Sequence, residues 1–196
     1  MIPAAFQLGL GIPDMDNDMV QIDIRQFVPT DLPDLLHIDH SYHTDFVWQM
    51  EVNQEEKEIK VKFKEVRLPR SMRVDYPRTI ENIADLIDTR LLTLVATKND
   101  QLVGYISVDV VGSIHIVNIT DIAVLRRLRK QGIGSALVLA VQSWLTQKGI
   151  HQVQLEMQSK NHPAINLANK LGYEFCGYSD RYYPNQDIAL FFGRRV

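Results

Sequence analysis

DIAVLRRLRKQGIG, residues 121–134, is the stretch that decides the fold. Its apolar, β-branched start predicts a strand, and the basic loop that follows closes on Gly132 and Gly134. An apolar face that recurs at helical spacing from Ile133 to Leu145 predicts a long helix directly after the loop. The first backbone N–H groups of a helix have no internal acceptor and bind anions, and four cationic side chains lie just upstream. The stretch therefore indicates a strand–loop–helix unit that holds a phosphate-bearing ligand by its backbone.

Two familiar glycine-loop classes fit this stretch poorly. A Walker loop needs Lys-Ser or Lys-Thr after its last glycine, but Gly134 is followed by Ser135. A dinucleotide loop needs a third small residue, and Leu137 stands there instead. Glu156 follows at about the spacing of the ribose-binding acid in dinucleotide loops, which agrees with this second class. The argument against the class is therefore Leu137 in the loop.

Composition limits the classes of function. The chain has 196 residues and a net charge of −3, from 21 basic and 24 acidic residues, so we expect no nucleic-acid partner. The lone Cys176 excludes an internal disulfide and suits the reducing cytoplasm. No apolar run approaches the roughly 20 residues that span a bilayer, so we expect no membrane partner. We expect a flexible arm over residues 1–19 and a single domain over residues 20–196, in which residues 44–78 form a hairpin insertion.

Apolar periodicity predicts alternating strands and helices along the rest of the chain. Predicted helices cover about 31–43, 79–89, 132–148 and 163–171. Predicted strands cover 20–27, 46–52, 59–63, 91–97, 101–111, 113–125, 152–157, 173–178 and 188–192. Strands pair early without intervening helices, and a β-α-β crossover follows in the middle, which argues against an all-parallel sheet. The fold class is therefore α/β in the α+β sense, with a central mixed and mostly antiparallel sheet flanked by helices.

Three blocks resemble the GNAT (Gcn5-related) N-acetyltransferases. The spacing R-x-x-G-x-G over Arg129–Gly134, after a strand ending in Val124, is similar to their acetyl-CoA signature. Asn161–Tyr173 is similar to a second family block, and Arg181–Ala189 is similar to the closing segment of ribosomal-protein alanine N-acetyltransferases. Val66–Pro69 is weakly similar to streptothricin-type acetyltransferases. The resemblance implies a GNAT-like fold whose sheet opens near Val124, and acetyl-CoA as co-substrate in that opening.

The resemblance also implies where acetyl-CoA is held. Three strand residues would lend backbone groups to the pantetheine arm, the loop and helix start would cradle the diphosphate, and an asparagine would contact the cofactor from the other side. The expected contacts are Ile122, Ala123, Val124, Arg129, Lys130, Gln131, Gly132, Ile133, Gly134, Ser135 and Asn161.

An amine must lose its proton before it attacks, so a base is expected. Glu156 is the first candidate, because a carboxylate at this position is the proposed base in similar alanine N-acetyltransferases. Asp121 is the second candidate, since it lies on the adjacent strand just before the cofactor-binding stretch. A solvent-facing strand residue is the alternative interpretation of Glu156.

The chain departs from the family at the general acid. The family's usual tyrosine aligns with Ala168. Tyr173, Tyr182 or Tyr183 could supply the proton instead, and Tyr183 is the catalytic candidate among them. A thiol with a pKa near 8.5 is also a fair leaving group without help.

Two further patterns carry weaker hypotheses. His37, His40 and His43 recur every three residues, but helical rotation separates them, so we expect no metal site. Aromatic residues could line an acceptor pocket, although one of them fits the pattern of the helix core. These residues are Trp48, Phe63, Tyr76 and Trp144.

The resulting hypothesis is acetyl transfer to a primary amine by direct attack, because Cys176 is poorly placed for a covalent intermediate. The alternative is an acyl-CoA-binding sensor with little turnover, which Ala168 favours, and a third is an interaction module with a vestigial fold. An N-terminal alanine, a lysine, a polyamine and an aminoglycoside-like or streptothricin-like antibiotic all remain open as acceptors. The apolar hairpin is suited to a homodimer surface.

Overall fold

The computed structural model describes residues 8–13, 19–110 and 116–196. The strands are β1 (Leu8–Pro13), β2 (Met19–Gln26), β3 (Tyr42–Glu55), β4 (Glu58–Val74), β5 (Leu92–Lys98), β6 (Gln101–Val110), β7 (Ile116–Val124), β8 (Gln152–Gln158), β9 (Glu174–Ser179) and β10 (Ala189–Arg195). The helices are α1 (Leu32–Leu36), α2 (Ile80–Ile87), α3 (Ile133–Gln147) and α4 (His162–Lys170). Short 3-10 turns cover Pro29–Asp31 and Arg126–Leu128.

Eight strands form one sheet in the order β1-β2-β5-β6-β7-β8-β10-β9. Every neighbouring pair is antiparallel except β7 and β8, which are parallel and joined by the α3 crossover. The expected mixed, mostly antiparallel sheet is therefore confirmed. Strands β3 and β4 pair only with each other and form a separate two-stranded ribbon.

Both faces of the central sheet are covered, which explains why β5 and β6 are buried over most of their length. On one face α3 and α4 pack over the larger core, to which Leu94 and Ile106 belong. On the other face α1 and α2 cover a smaller core that contains Val95 and Tyr105. Neighbouring residues of one strand thus enter opposite cores, as strand geometry requires.

Local turn chemistry follows the sequence at the β5–β6 hairpin. Asn99 and Asp100 both have positive φ, +49° and +61°, as the tight turn predicted there requires. Gly149 ends the α3 segment with φ +69°. Helices α2, α3 and α4 lie within two residues of their predicted bounds.

The helix predicted over 31–43 is wrong in its length. It ends at Leu36, and just before it the Asp31 carboxylate accepts a hydrogen bond from the Val28 amide at 2.9 Å. The chain then turns because the Asp39 carboxylate accepts from the Ser41 amide at 2.9 Å. That side-chain acceptor competes with continued helix and lets β3 begin at Tyr42.

Two expectations fall partly outside the described residues. The arm expected over 1–19 contains the strand β1, which pairs antiparallel with β2, and its other residues up to 18 are not described. The strand expected over 113–125 is described from Ile116 onward. The hairpin expected from 46–52 and 59–63 is confirmed and extends over Tyr42–Val74.

The opening in the sheet begins earlier than expected. The last β7–β8 pair is Ile119 with Leu155, so the two strands part five residues before Val124. At this point β7 also carries an extra residue, because the pairing with β6 skips Thr120. Such a bulge bends and twists its strand, which is the local reason that β7 turns away from β8.

Candidate functional site

The loop between β7 and α3 presents a row of backbone amides. Lys130 and Gly132 have positive φ, +65° and +89°, so the chain reverses sharply before α3. Within the described part of the chain, the amides of residues 130–135 donate to no protein acceptor, and the first helical bond runs from Ala136 to the Gly132 carbonyl. These amides fit an anion at a helix start.

Arg129 does not point toward those amides. Its Nε donates to the Val124 carbonyl at 2.9 Å, and its Nη1 donates to the Ser41 carbonyl at 2.6 Å. Its Nη2 donates to the Asp39 carbonyl. The side chain therefore braces the loop against the segment between α1 and β3, and only the backbone of Arg129 is left for the cofactor contact expected there.

The cleft between β7 and β8 lies next to this loop. Beyond Ile119, the backbone of Ile122–Val124 pairs with β6 on one side and with no strand on the other. Asn161 caps α4, since its Oδ1 accepts from the Ala164 amide at 3.1 Å, and it lines the cleft from the opposite side. The structure thus brings the three groups of expected acetyl-CoA contacts around one opening.

Asp121 and Glu156 lie at the apex of the cleft and share one arginine. Arg78 Nη1 lies 3.1 Å from Asp121 Oδ1, and Arg78 Nη2 lies 2.5 Å from Glu156 Oε1. The side chains of Asp121 and Glu156 are only 4% and 1% exposed. The interpretation of Glu156 as a solvent-facing strand residue is therefore wrong.

Both oxygens of Asp121 have further hydrogen-bond donors. Tyr76 donates to Oδ1 at 2.7 Å, and the Thr120 hydroxyl donates to Oδ2 at 2.9 Å. Arg90 donates to Oδ2 at 3.2 Å and to Asp109 at 2.6 Å. Asp121 is thus a fully partnered anion, buried between two arginines.

Glu156 has one partner that is accessible from solvent. Its Oε2 accepts from Asn118 Nδ2 at 3.0 Å and from the Tyr182 hydroxyl at 3.0 Å. Asn118 is 3% exposed, whereas Tyr182 is 45% exposed. Of the donors around Glu156, the tyrosine is the one that an incoming group can replace at least cost.

The three tyrosines considered as proton donors differ in position. Tyr173 is buried in the larger core, where Gln142 donates to its hydroxyl at 2.9 Å, and it does not line the cleft. Tyr183 lines the cleft, with its ring centroid 5.8 Å from Arg78 Cζ. Burial and then the Glu156 charge raise the pKa of Tyr182 to about 12, and the same causes raise the pKa of Tyr183. Both hydroxyls are therefore protonated at neutral pH.

Ala168 is fully buried in the larger core and does not line the cleft, although Ala164 and Leu167 of the same helix do. At this position the chain therefore has a packed core residue where the family has a tyrosine.

The space inside the cleft is narrow, and a wider pocket lies beside it. About 30 Å³ is open between the strands, which is room for a water molecule. The outer pocket holds about 400 Å³ and shares Tyr76 and Pro77 with the cleft. Its rim carries charges of both signs, namely Arg73, Asp75, Lys160 and Asp187.

Sequence reasoning missed the arginines that organise the site. Arg78 is 43 residues from Asp121 and 78 residues from Glu156, so no local pattern connects them. The available signal was Tyr76-Pro77-Arg78, two long polar side chains on either side of a proline that favours extended backbone at Tyr76. Residues i and i+2 of extended chain point the same way, and both do reach Asp121.

The other sequence hypotheses are resolved away from the site. Among the described residues, no cluster of side chains is suited to a metal ion. Trp48, Phe63 and Trp144 pack against the larger core and do not line the cleft. No helix in the described ranges has the length and apolar character to cross a bilayer.

Comparisons with known proteins agree with this geometry. A Bacillus subtilis protein named as a ribosomal protein bS18 alanine N-acetyltransferase is 32% identical over 98 residues, which are 50% of this chain and 64% of that relative. The match therefore spans just under two thirds of the relative.

Solved structures share the fold over nearly their whole length. A nourseothricin acetyltransferase superposes with a TM-score of 0.74 at 24% identity, covering 89% of this chain and 98% of that one. A Bacillus anthracis protein described as a streptothricin acetyltransferase, in complex with acetyl coenzyme A, has a TM-score of 0.69 at 18% identity over 89% and 99% of the two chains. The model of the acetyltransferase (GNAT) family matches residues 55–173. Because that match covers more than half of the chain and includes the glycine loop and both carboxylates, the protein belongs to the acetyltransferase (GNAT) family.

Proposed function

We propose that the protein is an acetyl-CoA-dependent N-acetyltransferase that acts on a primary amine of a small molecule or of a protein N-terminus. One observation carries the proposal. The unpaired amides of residues 130–135 lie at one end of a strand opening whose apex holds two buried carboxylates. An anion-binding turn and a proton-accepting group beside one cleft are what acetyl transfer to an amine requires.

The residues present fit acetyl-CoA. The amides of 130–135 would hold the diphosphate, the free edge of Ile122–Val124 would bind the pantetheine arm as an added strand, and Asn161 would close the other side. Bound acetyl-CoA supplies the acetyl group as a thioester and leaves as the thiol. The Bacillus anthracis neighbour is a structure with acetyl coenzyme A, which supports this assignment.

Glu156 serves as the base in this proposal. An incoming ammonium replaces the Tyr182 hydroxyl at Oε2, gives its proton to the carboxylate and attacks as the neutral amine. A nitrogen–carbon bond forms while the carbon–sulfur bond breaks, so no covalent enzyme intermediate is needed. Arg78 and Asn118 keep hold of the carboxylate during the exchange.

The leaving thiolate needs little acid catalysis. A thiol has a pKa near 8.5, so a proton transfer from Tyr182, whose pKa is about 12, would run uphill. The pKa of Tyr183 is raised as well, so we assign Tyr183 to hydrogen-bond donation in the cleft and not to proton transfer. The thiolate takes its proton from solvent or from the amine. This accounts for an active enzyme with alanine at position 168.

The outer pocket beside Tyr76 is the proposed acceptor site. It adjoins the cleft on the side of Lys160 and Asp187, and it carries both charges, which suits a polar amine. The relatives act on different amines by name: ribosomal-protein alanine in one case, and nourseothricin or streptothricin in the others. Both acceptor classes are therefore included in the proposal.

A second candidate function is an acyl-CoA sensor with little turnover. The observation in its favour is that Ala168 is buried without a polar substitute, while every oxygen of Asp121 and Glu156 already has a donor. Such a protein would bind acetyl-CoA and release thiol slowly with any amine.

Calorimetry with acetyl-CoA, followed by thiol release with amines, tests the proposal. We expect binding, and turnover with at least one of an alanine-initiated peptide, a lysine peptide, a polyamine and a streptothricin-type antibiotic. We expect Glu156→Gln to lower kcat/KM by about 100-fold or more while the acetyl-CoA Kd changes little. Absence of binding at millimolar acetyl-CoA would overturn the proposal, and binding without turnover would favour the sensor.

We also propose that the protein works in the cytoplasm and as a homodimer. The lone Cys176 is a free thiol, which suits a reducing compartment. The support for the dimer comes from the apolar face of the β3–β4 ribbon, where Val52 and Ile59 are 53% and 66% exposed.

A further inference from the structure

We infer that Arg78 is a positioning residue that holds β7 and β8 apart at the apex of the cleft. The inference rests on the proposed function, because it assigns the width of the acetyl-CoA site to a residue outside the glycine loop. No described contact of Arg78 involves the loop that binds the diphosphate in our proposal.

The guanidinium lies where strand pairing ends. Ile119 and Leu155 are the last paired residues, and Arg78 binds the residues that come next on both strands. On β7 its Nη1 donates to the Thr120 carbonyl at 3.0 Å and to Asp121 at 3.1 Å. On β8 its Nη2 donates to Glu156 at 2.5 Å. One planar group thus bridges the two strands at the point where their backbone pairing ends.

The bulge at Thr120 explains why a side chain is needed to bridge the strands here. The pairing with β8 has already ended at Ile119, so the Thr120 carbonyl lies beyond the β7–β8 ladder. A buried carbonyl without a donor is costly, and Arg78 supplies the shorter of its two side-chain donors, at 3.0 Å against 3.5 Å for the Tyr76 hydroxyl. The same side chain neutralises two carboxylates that would otherwise repel each other at the apex.

The chain that carries Arg78 is held firmly. It lies between the end of β4 at Val74 and the start of α2 at Ile80, and Thr79 caps α2 by accepting from the Asn82 amide at 3.2 Å. Tyr76, on the same short segment, is fixed to Asp121. A rigid segment can set a distance between two strands, whereas a mobile one could not.

A lysine cannot replace this arginine in the proposed role. The planar guanidinium directs separate N–H groups at two strands at once, whereas an ammonium is a single point charge. Arg90 offers a matched comparison, since it also binds Asp121 but donates its other hydrogen bond to Asp109 on β6, and among the described residues it donates none to β8. Loss of Arg90 therefore removes a buried charge from the same network without removing the bridge.

The test compares Arg78→Met, Arg78→Lys and Arg90→Met by calorimetry with acetyl-CoA, each checked for folding by its melting temperature. We expect the Kd to rise at least tenfold in Arg78→Met and by an intermediate factor in Arg78→Lys. We expect less than a threefold rise in Arg90→Met. In a fourth variant, Arg78→Ala, added methylguanidinium should restore part of the lost acetyl-CoA affinity.

An unchanged Kd in Arg78→Met, or equal rises in Arg78→Met and Arg90→Met, would overturn the inference. Should Arg78→Met fail to fold, the Arg78→Lys and Arg90→Met pair decides it alone. Hydrogen exchange separates this inference from the proposed function, because it needs no ligand. Faster exchange of the β7 and β8 amides in Arg78→Met than in Arg90→Met is expected even if the wild-type protein binds no acetyl-CoA, and equal exchange would count against the bridge.

Discussion

A methyl group placed on Gly134 would meet Leu167 at 3.6 Å and Ile122 at 3.8 Å, which are ordinary contacts. Gly134 is therefore not required by packing, in contrast to Gly132, whose φ of +89° favours glycine. Packing would allow alanine at Gly134, and the turn around it has unpaired amides. A ligand that approaches the backbone closely explains why glycine is found there.

Two substitutions at this residue separate fold from binding. Gly134→Ala should stabilise the protein by about 0.5–1 kcal/mol, because alanine is the better helix former, and yet weaken acetyl-CoA binding. Gly134→Asp should abolish detectable binding through bulk and charge repulsion. Chemical unfolding and calorimetry measure the two effects. If Gly134→Asp binds acetyl-CoA like the wild type, the diphosphate does not lie at this turn.

At the scale of elements, the β3–β4 ribbon has two unlike faces. Directly paired residues share a face, so Val52 lies beside Val61 and Met50 beside Phe63, with Ile59 toward the tip. Phe63 continues this face onto β9, where it lies 5.5 Å from the ring of Phe175. The opposite face carries lysines, which explains why the sequence alternates so regularly there.

The exposed part of the apolar face predicts self-association. We expect light scattering to give twice the mass of the chain, and the double variant Val52→Thr with Ile59→Thr to give a monomer, because the shared apolar area is lost. The pair Asn53→Thr with Lys60→Thr is the matched control, since these residues face each other on the other side. A monomeric wild-type protein, or a control that also dissociates, would contradict this prediction.

At the scale of the whole molecule, the second core ends in a buried polar cluster. His40 Nε2 lies 2.9 Å from the Tyr105 hydroxyl, and the His40 ring centroid lies 5.2 Å from that of Tyr76. Burial lowers the pKa of His40 below its ordinary value. Since Tyr76 in turn donates to Asp121, this cluster connects the segment between α1 and β3 to the apex of the cleft.

The lowered pKa predicts how stability depends on pH. Below about pH 6.5 the unfolded chain protonates this histidine while the folded protein keeps it neutral, so the free energy of unfolding falls as the pH drops toward the folded pKa. His40→Gln should therefore lose less stability between pH 7 and pH 5 than the wild type. The exposed His37→Gln serves as the control. Equal pH slopes in His40→Gln and the wild type, measured by chemical unfolding, would refute the prediction.

Local patterns explain which parts of the fold were predictable. The β5–β6 turn, the glycine loop and the amphipathic α3 depend on residues close in sequence, and each was found where expected. Helix α1 was predicted too long. The chain turns at Asp39, whose carboxylate accepts from the Ser41 amide, and Arg129 holds this turn by donating to the carbonyls of Asp39 and Ser41. A helical pattern does not show that the residues after a helix are held by an arginine 88 and 90 residues away.

The candidate site also has one part that the sequence predicts and one part that it does not. The sequence alone determined the glycine turn before α3 and the strand positions of the two carboxylates, because backbone conformation and strand position follow from neighbouring residues. Only the tertiary structure decided that Arg78 lies between those carboxylates and that Tyr182 is the exposed partner of Glu156. The physical reason is range: a hydrogen-bonded turn is formed within a few residues, whereas a buried ion network exists only after distant segments have packed together.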